Sequence, residues 1–342
     1  MDEKQGKKVM RYCALGKSGI KASVIGMGTW VTGGGMIWGE NPDDAESIRA
    51  IHAALDTGIT LIDTAPSYGR GRSEEVVGKA IRDRRDKVVL ATKCGLLVDD
   101  ARGSFFADFD GHKIYRSLQP HTIREEVEKS LRRLQTDFID LYQTHWPSAE
   151  PVKTPISETM ACLMDLKDEG KVRAIGVSNV SLGELKENDS EGELAACQFR
   201  YSMLARGAEK DILPFCLKHT IATLTYMSLE QGLLTGKVGM DREFSKDEFR
   251  SDTGWNPWFA PENRKRVLDL LAGWNELTVK YRCTLAQLVL AWTLRQPGVT
   301  HVLAGARKTS QIEENVAAAG LHIAAEDIDR IRRDVVALGT PS

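Results

Sequence analysis

The chain has 342 residues, with 46 Lys and Arg against 48 Asp and Glu, a formal charge of −2 at pH 7. Hydrophobic residues make up 42% and charged residues 27%, an ordinary globular composition. This balance argues against a nucleic-acid partner, which needs a concentrated basic surface, and against a polybasic membrane anchor.

The length fits two domains of about 150 residues or one α/β barrel of about 250 or more. The first eight residues contain no apolar signal core, and no stretch reaches the ~20 apolar residues of a membrane span, so the expected location is the cytoplasm. Six cysteines (Cys13, Cys94, Cys162, Cys197, Cys216 and Cys283) show no CxxC spacing and no adjacent His. They read as small buried hydrophobes in a reducing compartment, and no metal site is expected.

Along the chain, β-branched runs alternate with amphipathic stretches. The strand-like runs are 24–28, 60–63, 88–93, 139–145, 172–177, 195–198, 221–226 and 301–305. Helix-like stretches begin near Asp43, Ser73, Thr122, Ile156, Ser181, Glu209, Thr284 and Ser310. In the third, Ile123, Val127, Leu131 and Leu134 share one helical face. Thr122 with Glu125 reads as a capping box, and Asn41, Pro42 and Asp44 read as a helix start. Eight strand–helix repeats imply parallel strands with right-handed crossovers, closing most economically into a (β/α)8 barrel; a doubly wound open sheet is the rival. Three segments exceed the repeat: a hairpin over 11–23 placed to plug the barrel bottom, an extra helix over 261–281, and a terminal helix over 325–337. Residues 1–9 read as a disordered tail and 10–342 as one domain.

Two glycine motifs fail. Gly26 and Gly28 follow a strand, but Val31 stands where a dinucleotide fingerprint needs Gly. Gly236-Lys237 lacks the rest of a Walker A loop, with Gln231 and Val238 at the required positions. The stronger signal is positional. Asp63, Lys93, His145, Gln198 and Tyr226 end predicted strands, Ser178 and Asn179 follow one, and Arg307 follows the last. A parallel barrel gathers these strand ends on the rim where active sites sit.

On these residues the chain resembles the aldo-keto reductase superfamily, over nearly its whole length. The segments GITLIDTAPSYG (58–69) and SEEVVG (73–78), TKC (92–94), DLYQTHWP (140–147), GVSN (176–179) and YMSLEQGLLTGK (226–237) carry the resemblance. Its pattern is most similar to bacterial general-stress and inositol-dehydrogenase-like members. The resemblance implies a catalytic tetrad of Asp63, Tyr68, Lys93 and His145. Taken singly, they read as a salt-bridge acid, a loop aromatic, a lysine that is hard to bury and a core histidine. Together they suit carbonyl chemistry, in which hydride goes to carbon and a proton to oxygen. Lys93 beside Tyr68 is expected to lower the phenol's pKa, and His145 to donate to the substrate oxygen.

The resemblance also implies a nicotinamide cofactor. Thr29, Trp30 and Asp63 would lie beside it. Ser178, Asn179 and Gln198 would meet its carboxamide, and Tyr226 would stack on the ring. Ser228, Leu229, Gln231, Gly232 and Lys237 would wrap the diphosphate. Gly305, Arg307, Gln311, Glu314 and Asn315 would meet the adenosine end. Many members have Pro where Ser228 and Ala304 stand, and members with the best-known 2′-phosphate clamp have Lys at Gly305 and Arg at Gln311. With Arg307 in compensation, NADPH/NADP+ is the favoured cofactor, with NADH also possible.

The substrate pocket would include Trp30, Tyr68, His145 and Trp146. Trp38, Phe105, Phe106, Phe109, Tyr115, Trp255 and Trp258 lie in predicted rim loops, five of the seven tryptophans among the rim set. An aromatic wall suits small aldehydes, ketones, sugars or polyols. The expectation is an NAD(P)H-dependent aldehyde, ketone or polyol oxidoreductase without metal. The alternative is a non-catalytic cofactor-sensing subunit, like the related potassium-channel β subunits. No oligomeric state is assigned.

Overall fold

The computed structural model describes residues 10–34, 43–109, 111–245 and 248–342. The chain opens with an antiparallel hairpin of β1 (Tyr12–Ala14) and β2 (Lys21–Ser23). Leu15, Ile20 and Ala22 of this hairpin share one apolar cluster with Leu61, Val89, Leu141, Ala196, Leu224 and Leu303. The hairpin therefore closes one end of that interior cluster. Gly16 sits so close that an added Cβ would lie 2.4 Å from the Ala195 carbonyl oxygen, and its φ is +53°. Only glycine tolerates both conditions.

The barrel strands are β3 (Ile25–Gly28), β4 (Leu61–Asp63), β5 (Val89–Cys94), β9 (Ile139–Thr144), β10 (Val172–Ser178), β11 (Leu194–Arg200), β12 (Ala222–Tyr226) and β13 (His301–Gly305). Among the described residues these eight, and no others, close in sequence order, with β13 pairing back onto β3, and every pair is parallel. All eight strand-like runs of the sequence are barrel strands, and the open sheet is excluded. The helices α1 (Asp44–Asp56), α2 (Arg72–Ile81), α3 (Pro120–Leu134), α4 (Ile156–Asp168), α5 (Leu182–Glu191), α6 (Ile212–His219), α9 (Leu285–Thr293) and α10 (Thr309–Val316) alternate with the strands. Capping boxes start two of them, at Ser181 with Glu184 and at Thr284 with Gln287.

Three local readings are corrected. The third helix starts at Pro120, whose fixed φ suits the first helical position; Thr122 is already inside it and donates its hydroxyl to the Gln119 carbonyl. The first helix is capped by Asp43, which accepts from the Glu46 amide, while Asn41 and Pro42 lie outside the described residues, as do Trp38 and residues 1–9. The stretch 261–281 forms two helices, α7 (Pro261–Ala272) and α8 (Asn275–Tyr281), broken at Gly273 and the buried Trp274. The terminal helix α11 (Ala325–Leu338) forms where expected.

The insertion after β5 is structured. β6 (Leu96–Val98), β7 (Ser104–Phe109) and β8 (His112–Arg116) form a small antiparallel sheet. It is tied to the segment after β9, because the Ser104 hydroxyl donates to the Ala149 carbonyl at 2.6 Å and accepts from the Val152 amide at 2.9 Å.

Candidate active site

Alternation along β9 fixes what faces the barrel axis. Leu141 joins the interior cluster, so Gln143 and then His145 follow on the same side. The same logic places Asp63 at the end of β4 and Lys93 near the end of β5, both buried. Lys93 has no exposed surface, which is rare for lysine, and its ammonium has three partners. It donates to Asp63 Oδ1 at 2.7 Å, to the Thr64 carbonyl at 2.9 Å and to the Tyr68 hydroxyl at 3.3 Å. The ammonium also lies 5.0 Å from the Tyr68 ring centroid. The tetrad side chains therefore converge, with the His145 ring edge-on to Tyr68 at 5.7 Å.

Asp63 Oδ2 accepts from Gln198 Nε2 at 2.8 Å and from Gln143 Nε2 at 3.2 Å. Sequence reasoning quoted Gln143 within a motif and gave it no role. The available signal was its place two residues before His145 in a strand, a polar side chain on an inward position.

Electrostatics depart from expectation at Tyr68. Burial raises its pKa and outweighs the lowering by Lys93, while Asp63 adds a further upward push. Lys93 does pull the phenol down as expected, but desolvation of a phenolate exceeds the pull of one ammonium that is itself shared with a carboxylate, so the net shift is upward. For Lys93, burial pulls downward, but Asp63 and Tyr68 override it and leave the pKa raised. His145 is held well below the usual imidazole range, first by burial and then by Lys93. Its ring is therefore neutral. Nδ1 lies 3.5 Å from the Ser67 hydroxyl, at the outer limit of a hydrogen bond, and Nε2 has no partner among the described residues.

The cofactor-side residues fall into three groups. At β10, Ser178 is buried, with no hydrogen-bond partner for its hydroxyl among the described residues. Asn179 has a left-handed backbone (φ 61°); its amide nitrogen donates to the His145 carbonyl at 2.9 Å, and its oxygen accepts from the Tyr226 hydroxyl at 2.7 Å. Burial pushes the Tyr226 hydroxyl up to about 12. After β12, Ser228 donates to the Tyr201 carbonyl at 3.2 Å, and Gln231 donates to Asn256 at 3.0 Å while its own buried Oε1 has no partner among the described residues. Leu229 caps the short turn that contains Gly232. Near β13, the Gln311 oxygen accepts from the amides of Arg307 and Lys308 at 2.8 and 3.2 Å. The Arg307 guanidinium has no partner among the described residues, Asn315 is buried on α10, and Gly305 is exposed. Lys237 is not a free cation, since its ammonium pairs with Glu314 at 2.7 Å. Thr29 is absorbed into the scaffold: it donates to the Asp63 carbonyl at 2.9 Å and hydrogen-bonds with Ser73 at 2.8 Å.

The aromatic rim is partly as expected. Trp30 lies 6.1 Å from Tyr68 and 6.1 Å from Phe249, which in turn lies 6.1 Å from the exposed Trp255. Phe106 lies 5.3 Å from Trp146, with Arg116 4.1 Å from the Phe106 ring. Phe105 pairs with Tyr115. Trp258 is a correction: it is 5% exposed and packs in the main core with Phe259, so it is not a rim residue.

A model of the aldo/keto reductase family matches residues 24–334. The chain belongs to the aldo/keto reductase family. This aldo/keto reductase is 42% identical over 330 residues to the NADH-specific methylglyoxal reductase of Escherichia coli K12, covering 96% of this chain and 99% of that protein. It superposes on a glycerol dehydrogenase from Gluconobacter oxydans with a TM-score of 0.84 at 37% identity, over 99% of this chain and 98% of that one. It also superposes on an aldo/keto reductase from Klebsiella pneumoniae solved with NADP and acetate, with a TM-score of 0.69 at 28% identity over 94% of each chain. The protein is therefore an oxidoreductase of the NAD(P)H-dependent carbonyl-reducing class. Its residues fit such a cofactor: the Ser178 hydroxyl and Gln231 Oε1 are buried polar atoms that lack a partner among the described residues. Among the described residues no group of three or more His, Cys, Asp or Glu is placed to hold a metal ion, and no helix is long and apolar enough to cross a membrane.

Proposed function

We propose that this aldo/keto reductase reduces small aldehydes and ketones, and oxidises the matching hydroxyls of polyols or sugars, with Tyr68 as the proton donor and acceptor. One observation carries the reading: the fully buried Lys93 ammonium, 2.7 Å from Asp63 and 3.3 Å from the Tyr68 hydroxyl. When bound, the nicotinamide supplies or accepts the hydride. The protein's own residues handle the oxygen. Burial keeps Tyr68 protonated, the state in which it can give a proton to a carbonyl oxygen. Lys93 then stabilises the phenolate left behind, and Asp63, with Gln143 and Gln198, holds Lys93 in place. Neutral His145, with Ser67 near Nδ1, has Nε2 available to donate to the same oxygen as charge develops there. Trp30 and Trp146, with the rim aromatics, form the wall for the rest of the substrate. The tetrad's convergence favours this reading over a cofactor-sensing subunit.

For the cofactor, we assign Ser178, Asn179 and Gln198 to the carboxamide, Tyr226 to the ring, and Ser228, Leu229, Gln231, Gly232 and Lys237 to the diphosphate. Trp30 lies beside the same site. Gly305, Arg307, Gln311, Glu314 and Asn315 take the adenosine end. The unpartnered Arg307 guanidinium supports a preference for NADPH, since an arginine recognises phosphate readily. The Escherichia coli relative is NADH-specific and the Klebsiella structure holds NADP. Fluorescence titration with NADPH and NADH tests the preference: Arg307→Ala is expected to weaken NADPH binding about tenfold and NADH binding less than about twofold. Equal losses, or tighter NADH binding by the wild-type protein, would overturn the preference. We further assign residues 10–342 to one domain acting in the cytoplasm, a reading supported by hairpin packing against the barrel and by six free cysteines.

A further inference from the structure

The turn after β12 is held in a strained shape. Met227, Glu230 and Gln231 have left-handed φ values of 57°, 43° and 52°, and Gly232 has 97°. A non-glycine residue adopts this conformation at a steric cost and keeps it only where its surroundings over-determine it. Glu230 is what holds this turn. Its side chain is buried, Oε2 accepts from Arg200 Nη2 at 2.7 Å, and Oε1 accepts from the Ser202 hydroxyl. Arg200 is the last residue of β11, so the ion pair ties the turn to the neighbouring strand end. Ser202 is itself fixed, accepting from the Leu204 and Ala205 amides at 3.1 Å each.

The turn leaves two adjacent backbone donors without acceptors. The amides of Ser228 and Leu229 make no hydrogen bond among the described residues, although Ser228 is buried. Successive free amides beside left-handed residues form an anion-binding concavity. A buried carboxylate so near an anion would repel it unless neutralised, and Arg200 neutralises this one.

We propose that Glu230 is a positioning residue for the cofactor: with Arg200 and Ser202 it locks the 227–232 turn so that the Ser228 and Leu229 amides meet the diphosphate. This rests on the cofactor placement proposed above. The test compares wild type with Glu230→Ala, Glu230→Gln, Arg200→Ala and the double alanine variant, titrating NADP+ and nicotinamide riboside by fluorescence. Glu230→Ala and Arg200→Ala should each weaken NADP+ binding about tenfold, and the double variant should be no worse than the weaker single one. The riboside, which carries no phosphate, should bind all of them equally. Ser202→Ala, expected to weaken NADP+ about threefold, serves if a buried unpaired charge prevents folding. Unchanged NADP+ binding, tighter binding by Glu230→Gln, or parallel losses for dinucleotide and riboside would overturn the proposal. Failure of the wild-type protein to bind any nicotinamide dinucleotide would instead overturn the functional reading beneath it.

Discussion

A lysine with no exposed surface survives at the barrel rim because a carboxylate, a carbonyl and a phenol surround its ammonium. The arrangement has a pH signature. The Tyr68 phenol lies above its ordinary 10, so the protonated form needed for reduction is present below that value and lost only as pH rises through it. His145, held well below 6.5, stays neutral above that range and adds no step near neutrality. At saturating cofactor, kcat for reduction should be flat from about pH 6 to about pH 9. A limb near pH 6.5 that vanishes in His145→Gln would contradict the assignment. Asp63, Lys93 and His145 were legible because capable side chains recur at strand ends, whereas Tyr68, in the loop after β4, was legible only through the motif that resembles the aldo-keto reductase superfamily. Gln143 was not, because a lone glutamine in a strand carries no chemical signal until its partners are placed. Nor was the direction of the Tyr68 shift, because burial depends on what covers the group.

Between elements, the tie from α3 to the chain just after Lys93 is acidic. Glu126 is 6% exposed, and its Oε2 accepts from the Gly95 amide at 2.8 Å, where Gly95 (φ +92°) joins β5 to β6. Burial pushes the Glu126 carboxyl up to about 8. Its folded pKa thus exceeds the unfolded value of about 4.3, so its contribution to stability is fully present below that value and is lost as pH rises through about 8. Glu126→Gln keeps an acceptor for Gly95 and removes the titration. Relative to wild type, its Tm should rise by about 2 °C or more between pH 5 and pH 8.5; an identical difference at both pH values would show that Glu126 does not titrate in this way. The barrel strands and most helices were legible because hydrophobic period and turn residues agreed along the chain. The inserted sheet looks like a long rim loop in the sequence, because it stands outside the strand–helix repeat, although Asp110-Gly111 between two strand-like runs is a hairpin signal. The break in 261–281 was hidden because Gly273 interrupts an otherwise helical pattern, and the helix ends where Trp274 turns into the core.

At the scale of the molecule, a near-neutral chain is well suited to an anionic cofactor without a global positive field. On the cofactor placement proposed above, the Ser228 and Leu229 amides and Arg307 would supply the local attraction, while the Lys237 charge is already paired with Glu314. Parallel closure of the barrel is what turns residues far apart in sequence into neighbours, bringing Gln198 to within 2.8 Å of Asp63 across 135 positions. The central claim is that Tyr68 moves the proton while its neighbours hold it ready. The direct measurement is Tyr68→Phe, assayed for carbonyl reduction alongside the dissociation constant of NADPH. Loss of the donor hydroxyl should lower kcat by about 10²-fold or more while NADPH binding changes less than about threefold. Full turnover in that variant would contradict the account.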